Sequence, residues 1–199
     1  MIVVDVETSG LSPKRHGIVS IGAVEFEQAN NQFDGECRID KDAEVDPEAL
    51  KVNGFSEEQI RDKSKPSAAE LIGKFLVWAE QVADKTLGGH NTAFDIGFLR
   101  AACRLGKIQN WPFGYRYVDM HSIAYGQMKR HRDQVPLKYD VSAVYSNAVY
   151  DFVGLPPEPS PHQALTGAKM EAEAMQRLIY GRTLLKEFAK YPVPDYLIA

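Results

Sequence analysis

Residues 2–10 read IVVDVETSG, an apolar strand pattern that carries two acids before a Thr-Ser-Gly turn. Because side chains alternate across a β-strand, Asp5 and Glu7 project from the same face. Two carboxylates side by side at the end of a buried strand repel each other and lose hydration. A divalent cation such as Mg²⁺ would offset both costs, since it prefers carboxylate oxygens and water as ligands. The alternative is a strand end at which two solvated acids meet a turn.

The composition is typical of an ordinary globular domain. With 199 residues, 44% of them hydrophobic and 25% charged, the chain can bury one core, so we expect a single domain over residues 1–199. The net charge of −4 argues against a general nucleic-acid binder, but it is compatible with an enzyme whose acidic site holds a metal.

The cysteines and the hydropathy pattern bear on location. Cys37 and Cys103 lie far apart without metal-binding spacing, which predicts two free thiols in a reducing compartment. No apolar run approaches the ~20 residues that span a bilayer, and the N-terminus enters a strand directly instead of a signal-peptide pattern. We therefore expect a cytoplasmic protein without membrane association.

Strands dominate the first part of the chain. After the first strand, Ile18–Glu27 is rich in β-branched residues, and Phe33–Asp40 is a weaker strand candidate beyond a turn cluster. Three strands with short turns predict an antiparallel meander. Two brief strands are predicted later, at Thr86–His90 and Tyr117–Met120.

Helices are predicted where a capping residue precedes apolar residues at helical spacing and a glycine or proline ends the pattern. These segments are a short helix between Asp46 and Gly54, a longer helix that opens with the capping box Ser67–Glu70, a helix from Asn91 to Gly106, a helix capped by Asp140 that stops at Gly154, and a last helix from about Gln163 to Lys190. Helices that alternate with strands after a meander predict a three-layer α/β domain with a mixed sheet.

Two further polar clusters come later in the chain. The segment 90–95, HNTAFD, places Asp95 at a helix opening, where the helix dipole favours a carboxylate, so capping alone would also explain it. His162 follows a Pro-rich loop and precedes a helix, where an imidazole can reach a site, although a lone His is more often structural.

Two basic segments and one aromatic set have both a structural and a functional interpretation. Lys14–His16 and Lys129–Arg132 are either solvated loops or contacts to a phosphate backbone. We interpret the aromatic side chains of Tyr145, Tyr150 and Phe152 as helix packing instead of a platform for base stacking.

Taken in order, Asp-x-Glu-Thr-x-Gly at residues 5–10, His-Asn-x-x-Phe-Asp at residues 90–95 and His-x-Ala-Leu at residues 162–165 resemble the three motifs of DEDDh 3′-to-5′ exonucleases. This family includes the proofreading subunit of bacterial replicative polymerases and ribonuclease T. The resemblance extends over roughly Ile2 to Leu178 and includes Asp119. It implies a ribonuclease H-like α/β fold with a mixed five-stranded sheet flanked by helices.

The resemblance also implies a chemistry. Asp5, Glu7 and Asp95 would hold two divalent ions, Mg²⁺ or Mn²⁺, one lowering the pKa of an attacking water and the other stabilising the leaving 3′ oxygen. His162 would be the general base. The substrate would be a nucleic acid with a free 3′ end, single-stranded in the expected case, and the partners would extend to a polymerase or a second copy. The terminal nucleotide would contact Thr8, Gly10, Leu11, His90, Asn91 and Phe94.

One position departs from the family pattern. The family has an Asp five residues after the motif His, but residue 167 is Gly, which costs about 1 kcal/mol relative to Ala inside a helix. Either Glu171, one turn further on the same face, substitutes, or water fills the gap and the enzyme works slowly or with Mn²⁺, or the chain is a catalytically silent module that binds nucleic acid or a partner. Because the other motif residues are present, we favour a nuclease with a weakened metal position.

Overall fold

A mixed five-stranded sheet forms the centre of the structure, a computed structural model that describes residues 1–132 and 134–198. The strand order is β3-β2-β1-β4-β5. The first three strands form the predicted antiparallel meander, and β4 and β5 run parallel to β1. The strands are β1 (Ile2–Thr8), β2 (Ile18–Glu25), β3 (Gln32–Glu36), β4 (Leu87–Gly89) and β5 (Tyr117–Asp119).

Helices cover both faces of this sheet, as the sequence predicts for a three-layer α/β fold. Ile2 and Val4 pack against α3 and α4 on one face, whereas Val3 packs against α5, α6 and α7 on the other. Asp5 and Glu7 share the face of Val3 because side chains alternate along β1. The helices are α1 (Pro47–Asn53), α2 (Glu57–Ile60), α3 (Ala68–Glu80), α4 (Thr92–Leu105), α5 (Met120–Arg132), α6 (Ser146–Phe152) and α7 (Ala164–Tyr180).

The capping signals place two helices correctly. The Asp46 side chain accepts a hydrogen bond from the amide of Glu48 at the start of α1, and Gly54 ends that helix in the left-handed conformation. Ser67 and Glu70 form the predicted reciprocal capping box of α3. Each cap satisfies backbone groups that have no partner inside the helix.

Two predicted helices were wrong in extent. Asp140 does not cap a helix, because Tyr139 and Asp140 adopt positive φ at the turn of a small hairpin formed by β6 (Leu137–Lys138) and β7 (Val141–Ser142). The last helix ends at Tyr180 instead of Lys190, since Gly181 adopts φ 62° and forms a left-handed C-cap. Two short 3₁₀ segments, 186–188 and 195–197, follow it.

A buried ion pair fastens the C-terminal segment to α7. The Nε of Arg177 donates to Glu173 Oε1 at 2.7 Å, and both side chains are fully buried. Arg177 also donates to several carbonyls, including those of Val153 and Tyr191. Glu173 Oε2 accepts from the amides of Leu184 and Leu185. The pair therefore supplies hydrogen-bond partners to backbone carbonyls and amides of the segment that returns across α6 and α7.

The cysteine prediction is consistent with the structure, because Cys37 and Cys103 are buried free thiols. Burial raises the pKa of the Cys37 thiol to about 12. Within residues 1–132 and 134–198, every helix is too short or too polar to cross a bilayer.

Candidate active site

The acids of β1 lie under the N-terminal turns of α7. Asp5 pairs in register with Gly22 of β2. A Cβ on Gly22 would lie only 2.1 Å from the amide nitrogen of Leu165 and 2.3 Å from the carbonyl oxygen of Ala164. The missing side chain thus lets the backbone of α7 cross the sheet directly beside Asp5 and Glu7.

Asp95 reaches the same place from the opposite side of β1. It lies in the first turn of α4, is buried, and its Oδ1 accepts a hydrogen bond from the Val6 amide at 3.1 Å. Asn91 turns the chain with φ 58°, and the cap of α4 comes from Asp119, whose Oδ2 accepts from the Thr92 amide at 3.1 Å. Asp119 therefore supplies the cap at Thr92, while the Asp95 carboxylate connects α4 to β1.

Gly167 makes room for a carboxylate of the cluster. A Cβ at this position would lie 2.0 Å from Oδ2 of Asp5 and 2.9 Å from its Cγ. Both distances are far below van der Waals contact, so any larger residue at 167 would force Asp5 to move. The glycine is explained by this close approach and not by helix propensity.

Glu171 is part of the cluster but faces β4. Its side chain is buried, and its Oε2 accepts a hydrogen bond from the His90 amide at 3.2 Å. The same oxygen would lie 3.1 Å from a Cβ on Gly89. The predicted substitute for an acid at 167 is thus held at the end of β4, one helical turn from Gly167.

Sequence reasoning missed a further acid, Glu158, which lies in the Pro-rich loop before α7. Its side chain is 7% exposed, and its Oε2 is 3.6 Å from Nδ1 of His162. Its Oε1 would lie 3.4 Å from a Cβ on Gly167. The signal available in the sequence was an acid four residues before the motif His, at a spacing outside the resemblance.

The pKa values of these acids are all displaced upward. Burial is the largest cause for Asp5, Asp95, Glu158 and Glu171, and repulsion from neighbouring acids contributes at Asp5, Asp95 and Glu171. For Glu7, burial and then the charge of Glu158 raise the pKa from 4.5 to about 7. The cluster is therefore costly to ionise in the absence of a cation.

The donor set fits a hard divalent cation with oxygen ligands. Glu158 Oε1 and the Tyr150 hydroxyl are buried and have no hydrogen-bond partner in the described part of the chain. Across residues 1–132 and 134–198, no three His, Cys, Asp or Glu side chains already stand in metal-ligand geometry. The carboxylates would therefore have to rotate to converge on one ion.

His162 is placed beside the cluster by contacts to α1. Its side chain is 34% exposed, and its amide donates to the Val52 carbonyl at 3.0 Å. The adjacent Asn53 donates its side-chain amide to the carbonyl of Thr8 at 3.1 Å. The C-terminal end of α1 therefore connects the end of β1 to the loop that carries the imidazole.

The predicted substrate contacts after β1 differ in accessibility. The Thr8 hydroxyl is used internally, since it donates to the Gly10 carbonyl at 2.8 Å. Gly10 packs against the ring of His16, which a Cβ would approach within 2.3 Å. Leu11 is 76% exposed and is the side chain of this set that is free to contact a ligand.

The predicted substrate contacts around β4 also differ in accessibility. The His90 Nε2 is 2.9 Å from the Val144 carbonyl, so its imidazole is engaged within the protein. Asn91 is exposed, and Phe94 is partly buried with its ring 4.9 Å from that of Phe98. Asn91 and Phe94 thus keep surface available next to Asp95.

The two basic segments lie in different settings. Lys14–His16 line a cavity of about 430 Å³ whose other lining residues include Arg104 and Asp42, apart from the acid cluster. Lys129–Arg132 form the last turn of α5, where Arg132 lies 4.8 Å from the ring centre of Phe152. Contacts of either segment to phosphate remain predictions.

The aromatic set is partly corrected. Tyr150 and Phe152 are fully buried in the core, as predicted, whereas Tyr145 is 58% exposed. The reason is that α6 begins at Ser146, which leaves Tyr145 at its N-cap and outside the packed face.

Comparison with known proteins relates this chain to one family. The model of a family described as "Exonuclease" matches residues 2–175. The DNA polymerase III subunit epsilon of Rickettsia typhi is 38% identical over 110 residues, which cover 53% of this chain and 45% of that protein. The DNA polymerase III PolC-type of Thermotoga maritima is 26% identical over 194 residues, covering 95% of this chain and 13% of that protein.

A solved structure gives the same relationship at the level of the fold. Escherichia coli exonuclease I in complex with a dT13 oligonucleotide superposes with a TM-score of 0.69 at 16% identity, covering 88% of this chain and 40% of that chain. The ribonuclease H-like architecture predicted from the motifs is therefore confirmed. The chain spans less than half the length of each of these three proteins.

Proposed function

The chain belongs to the exonuclease family, and from that premise we propose that it is a metal-dependent 3′-to-5′ exonuclease that releases nucleoside monophosphates. The observation that carries this proposal is the convergence of Asp5, Glu7 and Asp95 in one buried cluster next to His162. Several buried acids whose ionisation destabilises the fold are explained by a bound cation, which a protein that only binds nucleic acid does not require.

We assign two divalent ions, Mg²⁺ or Mn²⁺, to the carboxylates of Asp5, Glu7 and Asp95, at a site in which one position lacks the acid that the family has at 167. When bound, one ion would make water more acidic and the other would stabilise the charge on the leaving oxygen. Asp95 is oriented for this role by its hydrogen bond from Val6. The other two side chains are carried on the rigid central strand.

His162 is proposed as the general base. The oxygen of water forms a bond to the phosphorus, the bond from phosphorus to the 3′ oxygen of the preceding nucleotide breaks, and the imidazole takes the proton of the water. Its partial exposure and the acid 3.6 Å from its Nδ1 suit this role, because a neighbouring carboxylate orients the ring.

The substrate is proposed to be single-stranded nucleic acid with a free 3′ end. Leu11, Asn91 and Phe94 offer exposed or partly exposed surface beside the acids, and contacts of this kind need little sequence specificity. A replicative polymerase is the proposed partner, by analogy with the epsilon subunit of Rickettsia typhi.

The test is a degradation assay with an oligonucleotide labelled at its 5′ end. With Mg²⁺ or Mn²⁺, we expect a ladder that shortens from the 3′ end, and no ladder with EDTA or with a blocked 3′ end. Asp95→Asn should abolish the ladder, and Glu58→Gln, the same chemical change at an exposed site on α2, should not. DNA and RNA are compared in parallel.

Three results would contradict the proposal. Internal cleavage of a substrate with blocked ends would replace exonuclease with endonuclease activity. An absence of cleavage from both the natural chain and Gly167→Asp, with the fold intact, would leave the silent binding module as the function. Cleavage gained only with Gly167→Asp would assign that silent role to the natural chain.

A further inference from the structure

We propose that Glu158 supplies, from the loop before α7, the carboxylate that the family pattern places at residue 167. This inference rests on the proposed metal-dependent function and adds a ligand to it. The chain would then have moved one acid of its metal site from a helix to the adjacent loop. Its site would have a full number of carboxylates despite Gly167.

The position of the carboxylate is the first argument. An oxygen 3.4 Å from the place of a Cβ on Gly167 lies beside the space that the side chain of an Asp at 167 would occupy. Asp5 Oδ2 lies 2.0 Å from the same place. Glu158 and Asp5 therefore face each other across the space that the glycine leaves empty.

The second argument is that Glu158 Oε1 is buried without a partner. Its side chain is 93% buried, as its exposure of 7% implies, and Oε1 has no hydrogen-bond partner within the described ranges. A buried carboxylate oxygen in this state is destabilising unless a donor or a cation satisfies it. His162 faces the other oxygen, Oε2, whereas the Asp5 carboxylate lies across the gap from Oε1, and a cation between the two carboxylates would satisfy both.

The backbone of the loop is fixed at both ends of this segment. The Glu158 amide donates to Oδ1 of Asn147 on α6 at 3.0 Å. The His162 amide donates to the Val52 carbonyl at 3.0 Å. A ligand held by two anchors keeps its geometry, which a metal site requires.

Two other assignments can be compared with this one. Glu171 is committed to the His90 amide at 3.2 Å, so it is less suited to replace an acid at 167. Glu158 could instead serve only to position His162, whose Nδ1 lies 3.6 Å from Oε2. That role would use one oxygen and would leave Oε1 unexplained.

The experiment measures Mn²⁺ affinity by calorimetric titration of the whole chain, without substrate. Glu158→Gln should weaken Mn²⁺ binding roughly tenfold or more, since the loss of even an outer partner of a ligand costs 10–100-fold. Asp151→Asn, which removes an exposed acid of neighbouring α6, should leave the affinity unchanged. In EDTA, Glu158→Gln should melt at a higher temperature than the natural chain, because it removes the repulsion between the carboxylates of Glu158 and Asp5.

A double variant tests whether the carboxylate of Glu158 and that of an Asp at 167 occupy the same position at the metal or act independently. Gly167→Asp requires the Asp5 carboxylate to turn away from the new side chain, and with that shift it should restore Mn²⁺ affinity in the Glu158→Gln background. In the natural background it should not improve affinity, because two carboxylates would compete for one space. An equal gain in both backgrounds would overturn the proposal, since it would show that the residues act separately.

The outcomes also distinguish this inference from the proposed function. If Asp5→Asn abolishes Mn²⁺ binding and Glu158→Gln leaves it unchanged, only the inference fails, and Glu158 is a positioning residue for His162. If the natural chain binds no Mn²⁺, both fail. If Glu158→Gln is unfolded in EDTA by circular dichroism, the carboxylate is a structural group and the inference is overturned.

Discussion

Replacing Glu7 by Gln should stabilise the metal-free protein at neutral and higher pH. Glu7 is 8% exposed, and burial together with the charge of Glu158 raises its pKa from 4.5 to about 7. The folded protein thus holds this proton more tightly than the unfolded chain does. Glutamine has a similar shape and cannot ionise, so the variant avoids the cost of a buried charge.

The sign and the size of the stability change follow from the linkage between proton binding by Glu7 and folding. Below pH 4.5 the Glu7 carboxyl is protonated in both states, and its contribution to stability is fully present. This contribution is lost as the pH rises from 4.5 to about 7. At about 1.4 kcal/mol for each pH unit, the loss amounts to about 3 kcal/mol. Above about pH 7, Glu7→Gln should therefore exceed the natural chain in unfolding free energy by about that amount.

The measurement is urea unfolding in EDTA across this pH range, with Glu58→Gln as the exposed control. The linear dependence of unfolding free energy on urea gives the difference at each pH. Saturating Mn²⁺ should shrink or reverse the gain, because the variant lacks a ligand that the natural chain offers. Equal stability of Glu7→Gln and the natural chain above pH 7 in EDTA would refute the reasoning.

Three further outcomes are expected. Arg177→Met should lower the unfolding free energy by about 3–5 kcal/mol, because it leaves a buried carboxylate without its partner, and Arg182→Met, at an exposed cation-π contact, should change it far less by urea titration. Gly22→Ala should lower the unfolding free energy by at least about 1–3 kcal/mol, because the new methyl group overpacks against backbone. Gly73→Ala, with open space around it within the described structure, should raise the unfolding free energy by up to about 1 kcal/mol. Thermal melts compare the two variants. Mn²⁺ should raise the melting temperature more above pH 7 than at pH 4.5, since its ligands must lose protons, and an equal shift at both would contradict a carboxylate site.

The sequence correctly predicted the strands and helices that strong local signals determine. The apolar run of β1 and the caps at Asp46 and Ser67 correspond to single, local preferences of the backbone, and the structure has these elements where they were expected. The hairpin at residues 137–142 was missed because its turn uses Tyr139 and Asp140 at positive φ, conformations that are uncommon outside glycine.

The extent of α7 was overestimated for a different reason. Its apolar periodicity continues towards Pro192, but Gly181 turns the chain and the Arg177 side chain then binds the carbonyls of the returning segment. Those bonds join residues that are separate in sequence, so no local pattern reveals them. The helix therefore ends at the C-cap of Gly181, and the tertiary hydrogen bonds hold the segment that follows it.

Glu158 shows the same limitation at the site itself. Motif spacing could identify Asp5 and Asp95, because the strand and the helix that carry them fix where each side chain points, and it could identify His162 because its motif continues into the first residues of α7. A loop has no such periodicity, so the distance of 3.4 Å between Glu158 Oε1 and the missing Cβ of Gly167 exists only in three dimensions. Gly167 indicated a lost acid when the helix was considered alone. With the loop in place, it marks the space where two carboxylates, from β1 and from the loop, meet.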